Sequence, residues 1–193
     1  KNGEDDHGWR WSYNTCFTYE RNATMSFPHN LIIKQDINNK IKNIKDNLVL
    51  ECMEQRKNLN EEFSFNYEIQ SKYTNYLYDI LYQVSKDKLN NFNLKDINFK
   101  LWCFLTDKKF NKSCWHNHTK TSSINCVIYL NTQNKGIFFK YKDKEAYVLP
   151  EDNNMLIFPA FLDHCPETSK KEPRISLNLE LRCHEPVEKI FNI

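Results

Sequence analysis

Net charge is nearly absent from this sequence. Its 27 basic and 25 acidic side chains leave a formal +2 over 193 residues. The charges are spread rather than clustered, so there is no electrostatic case for nucleic acid or an anionic membrane surface. Long apolar runs are missing too: no stretch approaches the roughly eighteen residues of a membrane-spanning helix, and no basic-then-apolar leader opens the chain. It reads as soluble. The seven cysteines, Cys16, Cys52, Cys103, Cys114, Cys126, Cys165 and Cys183, contain no C-x-x-C pair, which removes the common zinc and dithiol motifs. Reduced thiols in a cytoplasmic protein are the simplest account of them. Glycine is limited to three residues, so left-handed turns must fall on the next most tolerant residue, asparagine.

The length fits a single domain, 1–193, able to bury a real core without disulfide staples. Its first part, 1–90, opens with a polar stretch and an aromatic segment, Trp9 to Tyr19, expected to pack on or extend a sheet. Ile37, Ile41, Ile44, Leu48 and Cys52 then recur at helical spacing, predicting a helix from about Ile37 to Leu59 with Asp36 as its cap. Tyr73, Leu77, Ile80, Leu81 and Val84 predict a second from about Glu68 to Lys88. Both are amphipathic, as scaffold helices covering one face of a sheet should be.

After Asn90-Asn91 the texture changes to short alternating segments bounded by turn residues. Strands are predicted near Ile97–Leu105, Ser113–His118, Ile124–Leu130, Gly136–Tyr141, Ala146–Leu149, Met155–Pro159 and Arg174–Leu181. The fold class is therefore α+β: a jelly-roll core over 91–193 with N-terminal helices packed on one sheet. The mouth of such a barrel is where a small cofactor can be gripped.

Three histidines carry the chemistry. His116 and His118, in Trp115-His116-Asn117-His118, point to one side if they lie on a strand. His164, in Leu162-Asp163-His164, can complete a facial metal set that leaves open positions for substrate and O₂. Imidazole suits Fe(II), Zn(II) or Cu(II). His7, His29 and His184 stand alone and are taken as ordinary surface or core residues. Sequons occur at Asn22, Asn111 and Asn117, and a glycan on Asn117 would stand between two of the proposed ligands.

Ten residues after His164 comes Arg174, in the alternating apolar segment Arg174-Ile175-Ser176-Leu177-Asn178. A guanidinium pointing into a barrel needs an anion, and its fork matches a carboxylate in two parallel hydrogen bonds. Ser176 shares its face, and Tyr129 can add a phenol from a neighbouring strand. A metal at one end and a carboxylate clamp at the other suit a short dicarboxylic keto acid.

These residues, from Lys100-Leu101-Trp102 through Trp115-His116-Asn117-His118, Ile128-Tyr129-Leu130, Leu156-Ile157-Phe158-Pro159 and His164 to Arg174-Ile175-Ser176, resemble the 2-oxoglutarate- and Fe(II)-dependent oxygenases. The chain is most similar to oxygenases of phages and bacteria with the pattern W-H-x-H, F-P, H, R-I-S. The resemblance covers about residues 97 to 182 and implies a double-stranded β-helix. It implies His116, His118 and His164 as metal ligands and catalytic centre. Arg174 and Ser176 would clamp the distal carboxylate of 2-oxoglutarate, assisted by Tyr129. The implied activity couples decarboxylation of 2-oxoglutarate to hydroxylation of a protein side chain, a nucleobase or a small molecule, with ascorbate as an accompanying reductant.

The sequence departs from that family at His118, where most members carry Asp or Glu. The site is then one charge more positive, which changes metal affinity and potential. Asn153-Asn154 stand where relatives have a turn glycine. Ile124-Asn125 replace a Ser-Gly with one extra residue before Tyr129. Trp102, Trp115 and Phe161 are candidates for the pocket wall. Two rival readings are a three-histidine cupin-type dioxygenase, in which Arg174 holds the substrate's own carboxylate, and an inactive jelly-roll binding module.

Overall fold

The structure is a computed structural model describing residues 27–59 and 65–193. The first part contributes β1 (Ile33–Asp36), α1 (Asn38–Ile41), α2 (Lys45–Arg56), β2 (Asn66–Ile69) and α3 (Thr74–Lys88). Then follow β3 (Leu94–Ile97), β4 (Leu101–Thr106), β5 (Ile124–Asn131), β6 (Ile137–Tyr141), β7 (Lys144–Val148), β8 (Asn154–Pro159), β9 (Asp163–Pro166), β10 (Arg174–Cys183) and α4 (Val187–Phe191).

Two antiparallel sheets result. The larger has the order β1-β8-β5-β10-β4-β2, with β3 also paired to β10, and the smaller is β7-β6-β9. Helix α2 lies against β2 and β5, so it covers the larger sheet. This is the expected α+β arrangement, a double-stranded β-helix with helices on one sheet. Strands β1 and β2, from the first part of the chain, pair with β8 and β4 of the second, so the two parts share one sheet.

Side-chain periodicity explains these placements. In β10, Ile175, Leu177, Leu179 and Leu181 are all buried, and each contributes about 1.5–3 kcal/mol of apolar burial. The residues between them, Arg174, Ser176, Asn178 and Glu180, belong to the opposite face. On α3, Leu77, Tyr78, Ile80, Leu81, Val84 and Ser85 are buried, a stripe at helical spacing. The Tyr78 hydroxyl donates to the Lys100 carbonyl at 2.7 Å, tying the helix to the sheet.

Several expected boundaries move. The helix predicted from Ile37 to Leu59 is split, because the chain turns between α1 and α2 through an Ile44 N–H to Ile41 C=O bond of 2.9 Å. Asp36 serves the predicted start by accepting the Asn38 N–H at 2.8 Å. The second helix begins at Thr74 rather than Glu68. Residues 66–69 alternate, with Tyr67 and Ile69 buried, and they pair with Leu101–Phe104. The predicted strand Ile97–Leu105 is two strands, β3 and β4. Ser113–His118 forms no strand; its only ladder contact is a single bridge from His116 to His164. Strands β1, β2 and β9 and the C-terminal α4 were not anticipated.

Asparagine takes the left-handed turns as expected. Among the described residues six non-glycines have positive φ, of which Asn91, Asn134, Asn153 and Asn192 are four, and Asn153, at φ 64°, makes the turn into β8. Cys52, Cys103, Cys114, Cys126 and Cys183 are free. Cys165 is disulfide-bonded, so the expectation of uniformly reduced thiols does not hold for it. No helix among the described residues is long and apolar enough to cross a membrane. The aromatic segment Trp9 to Tyr19, His7 and the Asn22 sequon lie outside the described residues.

Candidate metal centre and carboxylate clamp

His116 and His118 lie on an irregular segment, and what aims them is its attachment to residues 160–164. His116 and His164 exchange both backbone hydrogen bonds, at 3.1 and 2.9 Å, and the His118 N–H donates to the Ala160 carbonyl at 2.8 Å. The rings are thereby held close, with centroids 4.2 Å apart and tilted for His116 and His164, and 5.1 Å apart and stacked for His118 and His164. One ligand nitrogen from each of the three lies within 4.8 Å of the others.

The other ring nitrogens decide the chemistry. Nδ1 of His116 meets the Cys114 carbonyl at 3.1 Å and Nδ1 of His164 the Leu162 carbonyl at 2.9 Å. Nδ1 of His118 meets Oε1 of Glu180 at 2.6 Å. A carbonyl or carboxylate partner requires the proton on Nδ1, which makes Nε2 the lone-pair nitrogen of each ring. Three imidazoles fixed in this tautomer are arranged as metal ligands are, each with its outer nitrogen donating to an acceptor.

Electrostatics favour the neutral form. Burial pulls the pKa of His116 below its ordinary value. Burial, and then the neighbouring imidazoles, pull His118 and His164 well below theirs. Phe158 packs edge-on against His164 at 4.9 Å, a dry wall behind the ring.

Arg174 is fully buried. Its Nη2 donates to the Gly136 carbonyl at 3.3 Å, while Nε and Nη1 have no hydrogen-bond partner among the described residues. Its guanidinium stands 5.5 Å from the ring centroids of both Phe104 and Tyr129. Desolvation lowers its pKa, yet a guanidinium stays charged in a protein. The Tyr129 hydroxyl is likewise buried and without a partner among the described residues, and burial raises its pKa, so it remains a neutral donor. Ser176 sits directly across from Tyr129 on β5 and from Phe104 on β4. The extra residue before Tyr129 therefore does not displace it.

All six residues singled out in the sequence, His116, His118, His164, Arg174, Ser176 and Tyr129, line one cavity. Trp102 lines it as well, whereas Trp115 and Phe161 do not. Lys140 stands 4.9 Å over the Trp115 ring, and Phe161 packs on Tyr141. Three residues escaped the sequence analysis: Phe104 beside Arg174, Asn178, whose amide donates to Asn125 at 2.7 Å inside the barrel, and Glu180. The alternation that picked out Arg174 and Ser176 continues through Asn178 to Glu180 and would have found the last two.

No protein-family model and no curated protein sequence matches the chain. Solved structures do. A prolyl-4-hydroxylase from Pseudomonas putida superposes with a TM-score of 0.59 at 16% identity, covering 80% of this chain and 94% of that one. A prolyl hydroxylase from Trichoplax adhaerens, in complex with a hypoxia inducible factor oxygen degradation domain peptide fragment, gives 0.58 at 11% identity, with 80% and 84% covered. The chain shares their fold.

Proposed function

We propose that this chain is an Fe(II)- and 2-oxoglutarate-dependent oxygenase, a hydroxylase acting as a single domain. The observation that carries the reading is that one cavity is lined both by the three converging imidazoles and by a fully buried guanidinium, two of whose N–H-bearing nitrogens make no hydrogen bond among the described residues. Glu167 lies near enough to favour the charge on Arg174, but Nε and Nη1 make no hydrogen bond among the described residues; a buried cation left with open donors costs several kcal/mol, so Arg174 marks the place of an anionic ligand. The likeness in fold to two prolyl hydroxylases supports the same reading.

His116, His118 and His164 hold the ion through Nε2, kept neutral by burial. Arg174 binds the distal carboxylate of 2-oxoglutarate through Nε and Nη1, and Tyr129 and Ser176 donate their hydroxyls to it. Phe104 lines the cavity beside Arg174, and Phe158 packs edge-on behind His164. Bound there, Fe(II) supplies activation of O₂ coupled to decarboxylation of 2-oxoglutarate to succinate and CO₂, with ascorbate as the accompanying reductant. The target, a protein side chain, a nucleobase or a small molecule, enters from the mouth of the barrel.

The test is anaerobic titration of Fe(II)-loaded protein with 2-oxoglutarate, followed by admission of O₂ and measurement of succinate. Saturable binding and succinate formation are expected. Stoichiometric metal binding without 2-oxoglutarate binding would transfer the site to the three-histidine cupin-type reading, and no metal binding would leave an inactive jelly-roll module.

A further inference from the structure

Glu180 contacts one of the proposed ligands, His118, at its outer ring nitrogen. Its Oε1 lies 2.6 Å from Nδ1 of His118, with the His118 side chain only 2% and the Glu180 side chain 12% exposed. Its backbone N–H donates to the Tyr78 hydroxyl at 3.3 Å, and that hydroxyl in turn donates to the Lys100 carbonyl at 2.7 Å. The backbone of Glu180 is thus anchored to α3 and to the residue preceding β4, while its carboxylate accepts the Nδ1 proton of His118; burial raises its pKa, and the hydrogen bond from Thr121 and the charge of Arg182 oppose that rise.

We propose that Glu180 is the positioning residue of the metal centre and supplies the negative charge that an aspartate ligand would otherwise bring. The inference rests on the metal-site reading above. With two neutral imidazoles and an aspartate, a divalent ion keeps one net positive charge; with three neutral imidazoles it keeps two. Glu180, one residue further from the ion, restores the lower count. Its acceptor oxygen also raises the basicity of Nε2 and fixes both the tautomer and the ring plane of His118. His116 and His164 are held by neutral carbonyls two residues upstream, so among the described residues it is the Nδ1 of His118 that meets a carboxylate. The carboxylate therefore sits on the one ligand that replaces a carboxylate.

The experiment measures Co(II) and Fe(II) dissociation constants anaerobically, with the Co(II) d–d spectrum as a second readout, for wild type, Glu180→Gln, His118→Asp and the double variant. Glutamine keeps the shape and an acceptor oxygen but not the charge, so Glu180→Gln is expected to weaken metal binding about 10- to 100-fold and to shift the spectrum. In the His118→Asp background, Glu180 faces a second carboxylate, so the same change is expected to leave affinity unchanged or to improve it. Wild-type affinity and spectrum in Glu180→Gln, or an equal loss in both backgrounds, overturns the proposal. If Glu180→Gln does not fold, Glu180→Asp carries the test: withdrawing the carboxylate by one methylene is expected to weaken binding at least about threefold, and wild-type affinity overturns the proposal. If wild type itself binds no metal, the metal-site reading falls first and this one with it. Loss of binding in His116→Ala alongside wild-type behaviour of the Glu180 variants overturns the Glu180 role alone.

Discussion

Replacing Arg174 by alanine separates a keto-acid enzyme from any other histidine-ligated metal protein. The guanidinium is fully buried, and among the described residues its Nη2 donates to the Gly136 carbonyl while Nε and Nη1 are left open. If 2-oxoglutarate binds as proposed, truncating Arg174 would leave the distal carboxylate in the cavity with the hydroxyls of Tyr129 and Ser176. Removing one partner of such a charge pair costs about 2–5 kcal/mol, which is about 30-fold to several-thousand-fold in Kd at ~1.4 kcal/mol per decade. Metal affinity should be unchanged, because Arg174 touches no histidine. Arg174→Lys should recover part of the loss, since an ammonium cannot reproduce two parallel hydrogen bonds. Arg174→Met makes the complementary point: filling the site with an apolar chain should leave the ligand-free protein as stable or more stable, by up to about 4 kcal/mol, while abolishing keto-acid binding. The assay is calorimetric titration of Mn(II)-loaded protein with N-oxalylglycine, plus urea unfolding of each variant. Equal affinity in wild type and Arg174→Ala would refute the clamp.

His116→Ala and His164→Ala should each abolish the expected single equivalent of Fe(II), whereas His118→Asp should retain it; metal analysis after anaerobic reconstitution decides. Without metal, stability should fall on acidification below about pH 6.5. The unfolded chain protonates its histidines near 6.5, whereas burial holds the folded pKa values of His118 and His164 well below that, so the unfolded state binds more protons as pH drops. A metal-free melting temperature unchanged between pH 7 and 5 would contradict this. Gly136→Ala should cost about 1–3 kcal/mol of stability and weaken keto-acid binding. An added Cβ would be driven into the Val148 carbonyl oxygen and to 2.7 Å from the Tyr147 ring, displacing the carbonyl that Arg174 uses; thermal melts and ligand titration check both effects.

The double-stranded β-helix and its six candidate residues were legible because their signals are local. Ile124–Leu130 is a continuous apolar run, and Arg174 interrupts an alternating strand. The missed parts are those fixed by distant partners. β2 is a strand because β4 lies beside it, and four residues at Asn66–Ile69 are too few to outweigh the helical pattern that follows. His116 and His118 share a site for a reason other than strand period: their segment hangs on the backbone of residues 160–164. The alternation along β10 marks Glu180 as inward-facing, but only the fold brings it the 62 positions back to His118.

β10 pairs with β4, β5 and β3, and one of its faces presents Arg174, Ser176, Asn178 and Glu180 while the other presents Ile175, Leu177, Leu179 and Leu181. A slip of one residue would exchange every charge for a hydrocarbon. The Glu180 carboxylate beside His118 and the Arg174 guanidinium are thus spaced by a strand that cannot drift without unfolding the core. Local openings that loosen loops do not reach such a strand. Its amide protons should exchange only through global unfolding, and the spacing of the two charges should persist for as long as the protein remains folded.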